Sequence, residues 1–252
     1  MRSFTAAFVP VVAALLGAGG LCVASPLAAQ QIAYEAVDVN ADYVAGGGER
    51  MRRLVPVTSR PASAAPVLSG HEPAYGPFRV LDATHAALVD ATGVGTPGQF
   101  LAMLRDHPGI AVIEMLECPG TRDDLANLRL GRMIRERGIA THVPQGGSVR
   151  SGGVELFLAG ARRMADPGAE FAVHSWIDDT GLEPGDYSAS APENRRYLDY
   201  YRQMGMSPIE AEAFYAMTNS VPFSKARWFG AGVMSLWVAF DPDGAEADTS
   251  RS

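Results

Sequence analysis

The stretch that most limits what this chain can become is Ile110-Ala111-Val112-Ile113-Glu114-Met115-Leu116, a nearly unbroken apolar run of strand length. A strand that is apolar on both sides must be covered on both sides, as a parallel strand flanked by helices is. The run leads into Cys118-Pro119-Gly120-Thr121, and a helical stretch follows from Arg122 to Arg137, with Leu125, Leu128, Leu130, Met133 and Ile134 at helical spacing. Thr121 and Asp124 form a capping-box signature at its start, and Gly138 marks its end.

The cycle then recurs. Ile139 to Val143 reads as a strand, Pro144 to Arg150 as a Gly/Ser loop, Ser151 to Met164 as a second helix, and Phe171 to His174 as the next strand. Upstream, Phe78 to Leu81 reads as a strand and Gly95 to Arg105 as a short amphipathic helix. Strands alternating with helices imply right-handed crossovers and a mainly parallel sheet, hence an α/β fold. The C-terminal third is more helical. Asn194 to Met204 forms one helix, and Ser207-Pro208-Ile209-Glu210 opens another with N-cap, Pro and Glu in the expected places. A third helix is expected from Ser224 to Gly232 and a last strand from Val233 to Phe240.

The flanks differ in character. Residues 1–29 have the form of a signal peptide: Arg2, an apolar run from Phe8 to Val23, and small residues Ala28-Ala29 before Gln30. That implies a periplasmic or secreted protein, with an uncleaved membrane anchor as the alternative. Residues 30–76, with Gly46-Gly47-Gly48 and a Pro/Ala/Ser stretch, read as an extended linker, residues 77–240 as the folded domain, and residues 241–252 as a polar tail. Beyond residue 29 only Cys118 remains, so no internal disulfide is expected. The net charge of −7, without a basic run, excludes the electrostatic footprint of a nucleic-acid binder. The cysteine and five histidines show no metal-ligand spacing, so neither metal nor cofactor is expected.

Ligands of open α/β sheets sit outside the carboxyl ends of the strands. Two loops occupy that position, Cys118 to Thr121 and Gln145 to Gly153, and both run into helices whose first N–H groups lack partners. Such a place suits an oxyanion, with Ser151 as a nucleophile or simply as an N-cap. The spacing is neither GxSxG nor a P-loop. A serine nucleophile needs a base. Lys225 is the sole lysine and lies far along the chain, and arginine keeps its proton. His71 falls in the linker, His85 in an irregular stretch, His107 at a helix end and His142 within a strand, whereas His174 ends an apolar strand where the two loops converge.

The segment from Leu116 to His174 resembles the proteolytic subunit of the Clp protease and its crotonase-fold relatives, and in particular exported bacterial proteins of that superfamily. Glu117-Cys118-Pro119-Gly120-Thr121 matches the family's Ser-Pro-Gly-Gly loop, Ser151 to Gly160 matches the segment with the nucleophilic serine, and His174 follows 23 residues after Ser151. The resemblance implies a ββα spiral, Ser151 as nucleophile, His174 as base, and Gly120, Thr121 and Gly152 as oxyanion donors. It also implies a homo-oligomer acting on small peptides or esters; the export signal argues against an ATPase partner. The sequence departs from the pattern at Thr121 and Arg150, and the Phe214–Ser220 stretch that should hold the acid contains no carboxylate. Thr218 and Asn219 are the candidates to orient His174, with Asp178 and Asp179 as alternatives. Without the acid, a catalytically silent binding module of the same fold is the competing expectation, and a CoA-thioester enzyme a third.

Overall fold

The computed structural model describes residues 66–241 in full, together with the backbone of 33–38 and 52–57. The signal-peptide reading of residues 1–29 and most of the tail therefore lie outside the described residues. Within the span read as linker, β1 (Ala33–Asp38) and β2 (Arg52–Val57) form an antiparallel pair.

The six-stranded sheet begins with β3 (Ala74–Tyr75), β4 (Phe78–Val80) and β5 (His85–Leu88), antiparallel to one another. After α1 (Thr96–Asp106), the apolar run enters as β6 (Val112–Met115), parallel to β5. It does not continue as one strand. Leu116 turns the chain into β7 (Glu117–Cys118), which belongs to a second sheet, and α2 (Asp124–Glu136) follows. The next turn repeats the order: β8 (Ala140–Val143) in the first sheet, β9 (Ser148–Arg150) in the second, then α3 (Gly152–Ala159). A third turn contributes β10 (Arg163–Ala165) and β11 (Glu170–Val173). The strand orders are β10-β8-β6-β5-β4-β3 and, with β12 (Arg227–Gly230) antiparallel at the edge, β12-β11-β9-β7. The protein is thus an α/β fold in which successive ββα units wind around two mainly parallel sheets, as expected.

The structure corrects the sequence reading in five places. The segment read as a loop from Pro144 to Arg150 contains β9. The helix read to Met164 stops at Ala159, because Gly160 lies against Thr141, whose Oγ1 would stand 2.2 Å from any Cβ there; β10 follows it. Past Ser224 the order is strand then short helix, β12 followed by α6 (Ala231–Met234), rather than the reverse. Asp123, not Thr121, caps α2, accepting from Ala126 N at 2.8 Å, and His85 lies in a strand rather than an irregular stretch.

Helices α4 (Pro192–Gln203) and α5 (Pro208–Thr218) close the fold. The capping box on α5 forms as read, Ser207 with Glu210. Tyr200 of α4 is fully buried; its hydroxyl donates to the Glu155 carbonyl at 2.6 Å and fills the space that Gly131 leaves on α2. This locks α4 across α2 and α3 and makes it one wall of the site. No helix among the described residues is long and apolar enough to cross a membrane.

Candidate active site

Ser151 stands between β9 and α3 with φ 49° and ψ −128°. It is the only non-glycine residue among those described with positive φ. A side-chain-bearing residue in this region costs on the order of 1–3 kcal/mol, and such strain persists only where the surroundings impose it. Here they are identifiable. The Ser151 N–H donates to the Ala172 carbonyl of β11 at 2.9 Å, and its own carbonyl accepts from Val154 N at 2.8 Å. Asn127, 2% exposed on α2, donates to the Gly152 carbonyl at 2.7 Å and accepts from Thr92 Oγ1 at 2.8 Å. The result is a sharp strand–serine–helix turn, the geometry that presents a nucleophile's hydroxyl, without the GxSxG spacing that usually announces it.

Gly120 is packed against this turn. Its φ is +124°, and a Cβ there would lie 3.0 Å from Ser151 Cβ and 3.4 Å from Ser151 Oγ. The N–H groups of Gly120, Thr121 and Gly152 have no backbone acceptor among the described residues. A parallel bridge between Thr92 and Thr121 holds the loop in place, and the Thr121 hydroxyl is turned away to bond the Asp123 backbone. The Thr121 side chain therefore leaves its N–H unobstructed by its own hydroxyl. Arg150, the other departure, is drawn sideways onto Ser148 Oγ at 2.6 Å and Glu117. Cys118 is buried, which pushes its thiol up well above the ordinary value and leaves it a packing residue.

Ser151, Gly152 and His174 line one cavity of about 450 Å³. His174 Nδ1 donates to the Ser175 carbonyl at 2.8 Å, which leaves the lone pair on Nε2. Phe223 packs edge-on against the ring, 5.0 Å between centroids. No hydrogen bond joins Ser151 Oγ to His174 as the side chains stand. The proposed orienters do not engage it. Asn219 donates to the Tyr215 carbonyl at 2.7 Å and to Thr218 Oγ1, and caps α5. Thr218 donates to the Tyr215 carbonyl. Asp178 is held by Tyr187, Thr180 and the Leu182 N–H, and these hydrogen bonds keep its carboxyl well below the usual range. The segment that follows His174 is instead fixed through its neighbour: Ser175 bonds the Val221 carbonyl with both N–H and Oγ.

Two carboxyls in the wall were missed by the sequence reading. Burial raises Asp124 at the start of α2, and burial pushes Glu155 up to about 7. Glu155 is a single ionisable residue inside the apolar run Val154-Glu155-Leu156-Phe157-Leu158, a signal available in the sequence. No group of metal-ligating side chains occurs among the described residues.

No family model and no curated protein matches this chain significantly. Among solved structures it is similar to a mutant of a membrane-bound stomatin-specific protease in complex with a substrate peptide, at 16% identity and a TM-score of 0.40, covering 64% of this chain and 75% of that one.

Proposed function

We propose that this chain is a serine hydrolase of the Clp-peptidase/crotonase type, acting on small peptides or esters. The observation that carries the reading is the strained backbone of Ser151 at a strand–helix junction beside Gly120. Ser151 Oγ attacks the substrate carbonyl carbon while His174 Nε2 takes its proton. The tetrahedral oxyanion is received by the N–H groups of Gly120, Thr121 and Gly152 at the positive end of α3. The intermediate then collapses, the C–X bond breaks and the leaving group takes the proton from His174; water repeats the sequence on the acyl-serine. The Ser175 carbonyl serves the orienting role that an acid fills in other triads, which fits a slower enzyme than a full triad.

The test is labelling of the protein with a fluorophosphonate probe beside Ser151→Ala and His174→Ala. Labelling of the wild type that is lost in both variants supports the reading; a well-folded wild type that takes no label sinks it. The second reading, a catalytically silent binding module, is favoured by the missing Ser151–His174 hydrogen bond and gains from that negative result. Export by residues 1–29 and self-association are part of the proposal; they are checked by fractionation of the producing cell and by sedimentation.

A further inference from the structure

Glu155, one turn into α3, lines the same cavity as Ser151. It is 7% exposed. Its Oε1 accepts the Tyr201 phenol at 2.8 Å, and its Oε2 meets no donor from another residue among those described. An enclosed carboxylate ordinarily has a cation against it. Neither arginine in the cavity wall supplies one: no ion pair joins Arg122 or Arg196 to Glu155 among the described residues. Arg196 lies instead along Trp176 and Tyr197, 5.9 and 6.0 Å from their ring centres, with Nε on the Glu193 carbonyl. Asp124 stands in the same wall, and Trp176, Tyr197, Tyr215 and Phe223 surround the space with aromatic surface.

We propose that the cavity is a recognition pocket for a positively charged group of the substrate, an ammonium or guanidinium, with Glu155 Oε2 as its ionic anchor. The proposal rests on reading the cavity as the substrate site and specifies that the acyl group cleaved there is basic. Burial pushes the Glu155 carboxyl up to about 7, and a cation placed beside it favours its ionised form.

The probes are Nα-acetyl-lysine amide and its neutral isostere Nα-acetyl-norleucine amide, titrated calorimetrically into the full chain carrying Ser151→Ala, where turnover cannot interfere. The lysine probe should bind about tenfold more tightly, the worth of one charge-assisted hydrogen bond. Adding Glu155→Gln should reduce the preference to about twofold or less. Equal binding of the two probes, absence of binding by both, or a preference that survives Glu155→Gln overturns the proposal. Gln keeps the volume and still accepts from Tyr201; if the double variant does not fold, the two probes on Ser151→Ala alone decide. Fluorophosphonate labelling of the wild type separates the failures. Labelling without a charge preference removes the cation pocket and leaves the hydrolase, whereas a preference without labelling does the opposite.

Discussion

Two histidines, one within β8 and one just past β11, have opposite fates. His142 of β8 is 3% exposed and clamped on both nitrogens, Nδ1 to Glu114 at 2.7 Å and Nε2 to Asp166 at 3.2 Å. Burial works against its charge, but the two carboxylates outweigh burial and raise its pKa. His174 has no carboxylate bonded to it, only a backbone carbonyl on Nδ1, and its other nitrogen is left for the cavity. By a count of acids His142 is the better-equipped base, yet it has no free lone pair and no nucleophile. Chemistry at a histidine is governed by which nitrogen remains unspent.

The largest effects should fall on the His174 side of this contrast. Ser151→Ala and His174→Ala should each lower turnover or probe labelling by about 10⁴-fold or more, with melting curves unchanged in shape. His142→Ala should do the reverse. It takes one hydrogen-bond partner from each of two buried carboxylates and should cost about 3–5 kcal/mol in denaturant unfolding, while the folded fraction still labels. Loss of labelling in properly folded His142→Ala would break the comparison.

Glu155 sharpens it through pH. Its folded value of about 7 stands above the ordinary 4.5, so the folded state holds the proton more tightly. The associated stability is complete below about 4.5 and is lost as pH rises through about 7. Glu155→Gln should therefore gain on the wild type by up to about 3 kcal/mol between pH 5 and pH 8, read from parallel unfolding curves. Asn127→Ala removes the side-chain donor to the Gly152 carbonyl and the acceptor of the Thr92 hydroxyl and should cost about 1–3 kcal/mol, with slower labelling because the serine turn relaxes. Asn219→Ala should cost about 1 kcal/mol or less and change labelling less than about tenfold; a loss as deep as that of His174→Ala would restore Asn219 as an orienter.

Much of this was legible in the chain. The alternation of apolar runs and helical stretches exposed the α/β class, the resemblance implied the ββα order, and the N-terminal capping box of α5 was read residue for residue. Ser151 and His174 were brought to one cavity, as their positions after β9 and β11 required. What stayed hidden is short. β7, β9 and β10 are two or three residues long, too brief for a period of two to register, and pairing with distant strands alone creates them. Ser151's strain is likewise a tertiary product, imposed by Ala172 and Asn127 from other elements. Asn219 was misread because proximity in the chain to the expected acid position says nothing of where an amide turns when a helix end offers it a carbonyl.

The single residue between β6 and β7 has a consequence for how this protein can change. Leu116 gives its N–H to Leu88 of the first sheet and its carbonyl to Ser148 of the second, so one residue is stapled to both. There is no slack at that corner. One residue added there would shift β7 by a position and reverse which of its side chains face inward, carrying Gly120 away from Ser151. The long segment after His174, which forms the outer wall of the cavity, has no such double tether at Thr180 or Gly181, where the backbone is exposed. New specificities are therefore to be sought by lengthening or recomposing that outer wall, while the corner at Leu116 sets the part of the architecture that lineages and engineers alike must inherit unaltered.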